Sequence, residues 1–492
     1  MTMLTLFGKG SSFPRKREST VVREMDARLR GHDVHPEWRR VPAWRRVLPV
    51  GRRVVIGRGI AASLFALLAA LLFASSAGAQ QLGIDIVNGN PSAIPVAVVP
   101  FGFDGGGLPP DTDVGEVVRA DLARSGQFRT LAKSDIVETP TREAEVKFAT
   151  WRLLKQDYLV VGHATDSGAG GVRVEFELFD VGKQQRLAGL AISGQRTALR
   201  DVAHQIADII YEKILGVRGA FWTRIAYVTA TGTSPSIQYA LMVADSDGFN
   251  PQVVVRSREP LLSPAWSPDG RKLAYNSFES GNSSIFIQDL ATGSRQQVSS
   301  SKGINGAPAF SPDGGRLALT LSKGGNPDVY IMDLGSRSLT QITKHFAIDT
   351  EAVWAPDGQS IYFTSDRAGK PQIYQVSPSG GEPNRVTFDG QYNARASVVD
   401  AKGIKLAMVQ GNGNVYRIAV LDRATKQTTL VSPGNQDESP SFAPNGSMLL
   451  YATSEGARGV LYAVSADGRV RQRLVLAEGD VREPAWGPFR QR

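Results

Sequence analysis

Beyond residue 79 the chain carries three imidazoles, His163, His204 and His345, and it has no cysteine anywhere. Structural and catalytic zinc sites draw three or four nitrogen or sulfur ligands from short, recognisable spacings. These histidines are far apart, with no H-x-H or H-x₃-H, so no metal site is expected. No G-x-S-x-G is present, which removes the nucleophile elbow of hydrolase chemistry. The glycine clusters "SGAGG" (167–171) and "GNGN" (411–414) do not open helices, so neither makes a phosphate cradle. No catalytic residue and no cofactor is predicted. Acidic residues do recur in phase: Asp349 with Glu351, Asp437 with Glu438, and Asp480 with Glu483. Solvated loop charge is one reading of them; a rim that binds a partner or one cation is the other. His204 falls off the apolar stripe of its segment and is expected to be partly solvated.

The elements that position these carboxylates repeat. "PAWSPDGRKLAY" at 264–275 returns as "PAFSPDGGRLAL" (308–319), "AVWAPDGQSIYF" (352–363) and "PSFAPNGSMLLY" (440–451), with a weaker copy "ASVVDAKGIKLAM" at 396–408. In Ser267-Pro268-Asp269-Gly270, proline presets φ at the first corner, aspartate bonds the backbone ahead, and glycine takes the left-handed position. The phrase is therefore a strand–turn–strand junction. Its glycines, Gly270, Gly314, Gly358, Gly403 and Gly446, lie 44, 44, 45 and 43 residues apart. A period of that length with several short strands per unit specifies β-propeller blades. The chain ends in "EPAWGP" (483–488), the first strand of a repeat with nothing after it. The segment from Phe221 to Ser257 holds three strands with no first strand before them. Joined, they form one composite blade beside five complete ones. The expected fold is thus multidomain: a small α/β domain, then a six-bladed β-propeller (218–492) closed by the C-terminal strand.

The preceding segment, 80–217, alternates strand and helix. Strands are expected at Ile94–Phe101, Tyr158–His163, 172–180 and 186–193. A helix capped by Asp113 turns Val114, Val117, Val118 and Leu122 inward. A second helix is expected over 141–155 with Val146, Ala149, Leu153 and Leu154 inward. A third covers 198–215, with a stripe of Val202, Gln205, Ile206, Ile209, Ile210 and Ile214 ended by Gly216.

The formal charge of +9 suggests an anionic partner only until its location is considered. Residues 1–79 hold 14 Lys/Arg against 5 Asp/Glu, leaving 42 of each sign in the other 413 residues. Nucleic acid is therefore not indicated. Arginines 45, 46, 52, 53 and 58 precede an apolar run from Ile60 to Phe73, and Ala77-Gly78-Ala79 ends it. This pattern predicts a secretory signal over 45–79, cleaved between Ala79 and Gln80. No cysteine follows, so no lipoprotein anchor is expected. Residues 1–44 are Arg-rich and aperiodic, and they are expected to be an extension from a mis-assigned upstream start, with a functional cytoplasmic extension as the other reading.

With these features in place, a resemblance becomes specific. "GAFWTRIAYV" (219–228), "SDGFNPQVVVRSREPLLSPAWSPDG" (246–270), "NGAPAFSPDG" (305–314), "TSDRAGKPQIY" (364–374) and "DESPSFAPNG" (437–446) follow an exported α/β domain. Together they resemble the TolB family, the periplasmic β-propeller proteins of the Tol–Pal system. The resemblance implies a monomeric scaffold that is not an enzyme and meets membranes only through its partners. It implies binding of the peptidoglycan-associated lipoprotein Pal at one mouth of the propeller, by Ile304-Asn305-Gly306-Ala307 and Thr350-Glu351. It implies binding of the inner-membrane protein TolA by the mature amino terminus, Gln80-Gln81-Leu82-Gly83-Ile84-Asp85-Ile86. That terminal segment alternates apolar residues, so it is expected to dock on its own domain or to leave and pair with a partner. The expected role is support of outer-membrane constriction at division and of envelope integrity. Two other readings remain: a propeller enzyme acting on a sugar or lactone, and a peptide- or glycan-binding propeller.

Overall fold

The computed structural model describes residues 84–86, 92–105, 107–399, 405–474, 476 and 479–491. The leader, both sides of the predicted cleavage bond, Gln80–Gly83 and the turn glycine Gly403 lie outside them.

A near-continuous apolar run makes β2 (Ile94–Val98) an interior strand of the α/β domain, after the short β1 (Ile84–Ile86). Further strands are β3 (Gly102–Asp104), β4 (Phe128–Thr130), β5 (Tyr158–Gly168), β6 (Gly171–Asp180) and β7 (Gln185–Gln195). The sheet order is β4-β2-β5-β6-β7, with β3 beside β5. Pairs around β2 are parallel, and β5-β6-β7 form an antiparallel meander. Two helices cover one face. In α1 (Val114–Arg124) the Asp113 side chain accepts from the Glu116 N–H at 3.0 Å, and the four predicted apolar residues are buried. The third predicted helix runs over Leu199–Leu215 and stops at Gly216, whose φ of 72° is the left-handed cap.

The helix predicted over 141–155 is much shorter. α2 spans only Phe148–Leu153, behind a single 3₁₀ turn at Glu143–Glu145. Trp151, not Ala149 or Leu153, enters the core; Leu153 is 84% exposed. One large ring fills the space behind β2 and β5 that two smaller side chains were expected to fill. The 17-residue helix at Leu199–Leu215 is α3.

The propeller has six blades, five of them four-stranded sheets and the sixth a sheet of four strands extended to five by β1. Its first blade joins Arg224–Thr231, Gln238–Asp245 and Gln252–Ser257 to the C-terminal strand Asp480–Trp486, which pairs antiparallel with 224–231. This closure leaves no open end between first and last blades. The innermost strands of the other five are Leu261–Trp266, Asn305–Phe310, Asp349–Trp354, Tyr392–Val399 and Glu438–Phe442. The turn chemistry is as expected: Gly270 has φ of 67°, its N–H meets the Ser267 carbonyl at 2.9 Å, and Asp269 Oδ1 accepts from the Arg271 N–H. Successive turns interlock, since the Gly314 Cα faces Pro268 and the Gly358 Cα faces Pro312.

The α/β domain packs on the face that carries these turns. Asn445 Nδ2 in the last turn donates to the Arg218 carbonyl at 3.0 Å, and Arg490 pairs with Asp201 of α3 at 2.8 Å. The strand β1 does not join its own domain. It pairs antiparallel with Val470–Arg473, the outer strand of the sixth blade, placing Ile84 opposite Gln472 and Ile86 opposite Val470.

Candidate binding site at the open mouth of the channel

Each innermost strand carries a bulge near its start. The pairing register slips between Leu262 and Ala265, and between the equivalent residues of the other five. At each bulge one residue adopts a left-handed backbone: Ser263, Ala307, Glu351, Arg395, Ser439 and Glu483, with φ between 47° and 55°. Their numbers step by 44, one per blade. None is glycine, although glycine adopts this conformation without penalty. Side chains held at such a strained position are being aimed, because bulges redirect a side chain out of the ladder.

They are aimed into one place. All six line a cavity of about 130 Å³, walled by Pro264, Pro308, Pro440 and Pro484. The Arg395 guanidinium donates from Nε to Glu351 Oε1 at 2.9 Å and from Nη1 to Glu483 Oε1 at 3.2 Å, and also meets Ser439 Oγ. Glu483 Oε2 in turn accepts the Ser263 N–H at 3.1 Å. The bulge amides of Glu351 and Arg395 are taken by Thr320 Oγ1 and Thr364 Oγ1, both at 3.2 Å. Burial raises the Glu483 carboxyl, but the adjacent Arg395 charge outweighs it and holds the group below the usual range. Burial lowers the Arg395 guanidinium, and the carboxylates of Glu483, Glu351 and Glu438 reverse that. The Arg395 cation is thus bonded to two carboxylates at the mouth, those of Glu351 and Glu483.

Three of the six acidic residues singled out by phase are not solvated loop charge, while Glu351, Glu438 and Asp480 stay part-exposed. Asp349, Asp437 and Glu483 are buried. Asp349 forms a two-oxygen pair with Arg367 Nη2 at 2.9 and 3.1 Å, and Asp437 accepts from Ser432 at 2.5 Å. The repeat places these carboxylates where strands begin inside the ring, and there each needs a fixed partner. Asp480 accepts the Gly459 N–H and pairs with Arg482.

The other sequence-derived candidates are only partly available as side chains. Asn305 is buried and spends its amide on the preceding loop, accepting from Ser299 Oγ at 2.7 Å and the Ser301 N–H at 2.9 Å. Ile304, Ala307, Thr350 and Glu351 are part-exposed around the mouth, and Gly306 is buried. Thr350 Oγ1 lies 3.2 Å from Thr320 Oγ1. Sequence reasoning singled out Glu351 and Glu483 by their phase, as a possible rim, but missed Ser263, Arg395 and Ser439. Their signal was the 44-residue step itself. Two large apolar residues stand exposed on loops leading into innermost strands: Phe346 at 87% and Phe388 at 71%.

The histidines do not meet one another. His163 lies 3.6 Å from Glu175, and His345 Nδ1 accepts the Ala347 N–H. His204 is 1% exposed, contrary to the solvated position expected of it. It leaves the apolar stripe to face the propeller, a neighbour that the periodicity of one helix does not reveal.

Comparison with known proteins fits this architecture. The family model "TolB amino-terminal domain" matches residues 82–187, and "TolB beta propeller domain" matches 211–490. The Tol-Pal system protein TolB of Xanthomonas campestris pv. campestris (strain B100) is 71% identical over 429 residues, 86% of this chain and 98% of that protein. Its counterpart in Xanthomonas euvesicatoria pv. vesicatoria (strain 85-10) is 70% identical over the same coverage. The crystal structure of TolB from Acinetobacter baumannii superposes with a TM-score of 0.75 at 41% identity, covering 83% of this chain and 100% of that one. The chain belongs to the TolB family of Tol–Pal system proteins.

Proposed function

We propose that the chain is an exported periplasmic scaffold that binds Pal at the open mouth of its propeller and TolA through its mature amino terminus, supporting outer-membrane constriction and envelope integrity. The observation that carries the Pal half is the ring of six strained, non-glycine residues at the mouth away from the α/β domain. A rigid ring with variable loops suits protein recognition, and Phe346 and Phe388 supply apolar anchors of the kind that dominate interfaces. The amino-terminal half is supported by β1, a three-residue strand on an outer blade edge, whose short pairing is small enough to exchange for another strand. Export is supported by the Arg-flanked apolar run and its small-residue end. No helix among the described residues is long and apolar enough to cross a membrane.

The test is calorimetric titration of residues 80–492 with the soluble periplasmic domain of Pal, comparing wild type with Thr350→Arg. Tight binding by wild type and its loss in a folded variant is expected. A folded wild type that gives no heat overturns the reading.

A further inference from the structure

The junction between the α/β domain and the first blade is charged and buried. From α1 come Asp121 and Arg124, from α3 comes His204, and from the turn at 246–249 of the first blade comes Asp247; all four are at most 5% exposed. His204 Nδ1 lies 2.6 Å from Asp121 Oδ2, and its Nε2 lies 3.9 Å from Asp247 Oδ2. The imidazole therefore sits between a carboxylate of one domain and a carboxylate of the other.

We propose that His204, in its protonated form, is a proton-operated latch that ties α1 and α3 to the first propeller blade, and that losing this proton loosens the junction. Nδ1 must donate, since its partner is a carboxylate. A neutral ring then turns the lone pair of Nε2 toward Asp247, which is repulsive. A protonated ring turns an N–H toward it instead. Nε2 has no hydrogen-bond partner in its buried position, so nothing else stabilises the neutral form.

The surrounding charges set the strength of the latch. On α1, Arg124 pairs with Asp121 at 2.9 Å and crosses to Ser246 Oγ at 2.8 Å. On α3, Arg200 pairs with Asp247, Asp201 faces Arg490, and Asp208 accepts the Phe221 N–H at 2.8 Å. Asp245 closes the same blade turn. Burial pulls the His204 pKa down, and the Asp121 and Asp247 carboxylates outweigh it and hold the group above its ordinary value. Asp121, His204 and Asp247 also have the mutual spacing of a metal site. Arg124 and Arg200 already balance the two carboxylates, however, so one proton suits the junction better than a divalent ion. Buried ion pairs of this kind fix geometry more than they add stability.

The sign follows from linkage. A group whose folded pKa is raised stabilises fully below its unfolded value, near 6.5 for histidine, and loses that contribution as pH rises toward the folded value. The experiment is thermal unfolding of the full chain and His204→Gln between pH 7 and 9, with imidazole NMR of the wild type at pH 7.5. The wild-type midpoint is expected to fall by about 2–4 °C more than that of the variant, and the His204 ring to carry protons on both nitrogens. Equal pH dependence in the two proteins, or a neutral His204 ring, overturns the latch. If the variant does not fold, the NMR measurement decides alone.

Discussion

Arg395 Nε donates to Glu351 Oε1 at 2.9 Å, and the two residues occupy the same bulge position in adjacent blades. Arg395 also reaches Glu483, two blades onward, at 3.2 Å. One guanidinium thus ties innermost strands that are also joined by backbone-to-serine bonds, the Phe442 N–H to Ser397 Oγ at 3.1 Å and the Trp486 N–H to Ser441 Oγ at 2.9 Å. Replacing it with methionine keeps much of the volume and leaves two carboxylates inside without a cation. Arg395→Met is expected to cost about 3–5 kcal/mol at pH 7.5, the usual consequence of removing one partner of a buried pair. Glu483 is held below the ordinary carboxylate range in the wild type. Its contribution is therefore present at neutral pH and lost as pH falls through that depressed value. In the variant it becomes an unpaired buried acid that protonates early, so the gap between the proteins should narrow at pH 4.5. Urea unfolding at both pH values measures this; an unchanged gap would mean that Arg395 acts by packing alone.

The turns at the other end of the channel make a separate prediction. Gly314 has φ of 71°, and an added Cβ would meet Pro268 Cδ at an ordinary 3.6 Å. There is space for a side chain, so only the backbone objects. Gly314→Val should destabilise by about 1–3 kcal/mol. Gly315→Val, next in the chain and without a left-handed φ, should cost less. Equal melting temperatures for the two variants would remove the turn assignment.

These two ends differ in how far they were legible. "SPDG" carries its own conformation, because proline, aspartate and glycine each fix a corner of the turn. Closure was legible too, since "EPAWGP" is a strand without its repeat. The ring was less so. Glu351 and Glu483 stood out by phase and Ala307 through the family, but Ser263, Arg395 and Ser439 did not, because the six share no residue type; position within a period unites them. α2 shrank because Trp151 satisfied the core alone. His204 was misplaced because a single-helix stripe is blind to a second domain. The docking of β1 on the sixth blade was also beyond the pattern, since pairing 380 or more residues away leaves no local mark.

Asp245 and Asp208, at the domain junction, are each raised to about 6, chiefly by burial. Raised carboxyls contribute stability below their unfolded value near 4 and lose it as pH rises through 6. Asp247, burial notwithstanding, is held down to about 2 by the charges of His204, Arg124 and Arg200, so its contribution persists until pH falls through that value. Between pH 5 and 7 the first two dominate, and the junction is weakened by ionising. Asp245→Asn should therefore raise stability at pH 7.5 by about 1–2 kcal/mol, after allowing for partial screening, and flatten the decline between pH 5 and 7. Calorimetric melting across that range tests it; a variant less stable than wild type at pH 7.5 would contradict the assignment.

The two proposed partner sites meet on one blade. β1 lies on the sixth blade, whose innermost strand carries Ser439 of the ring, so the docked amino terminus and the channel mouth share one five-stranded sheet. A partner seated at the mouth and bonded to that sheet has a direct route to bias whether β1 stays docked. If it does, the two affinities are coupled, and thermodynamics requires the coupling to be reciprocal. Saturating Pal should then change the affinity for TolA by a factor of about 5 or more, and saturating TolA should change the affinity for Pal by the same factor. A reporter on β1 distinguishes the origin: hydrogen exchange at Ile84–Ile86 should slow when Pal is bound if Pal favours docking, and quicken if it favours release. Equal TolA affinities with and without Pal, alongside unchanged exchange at β1, would show that the mouth and the amino terminus act independently.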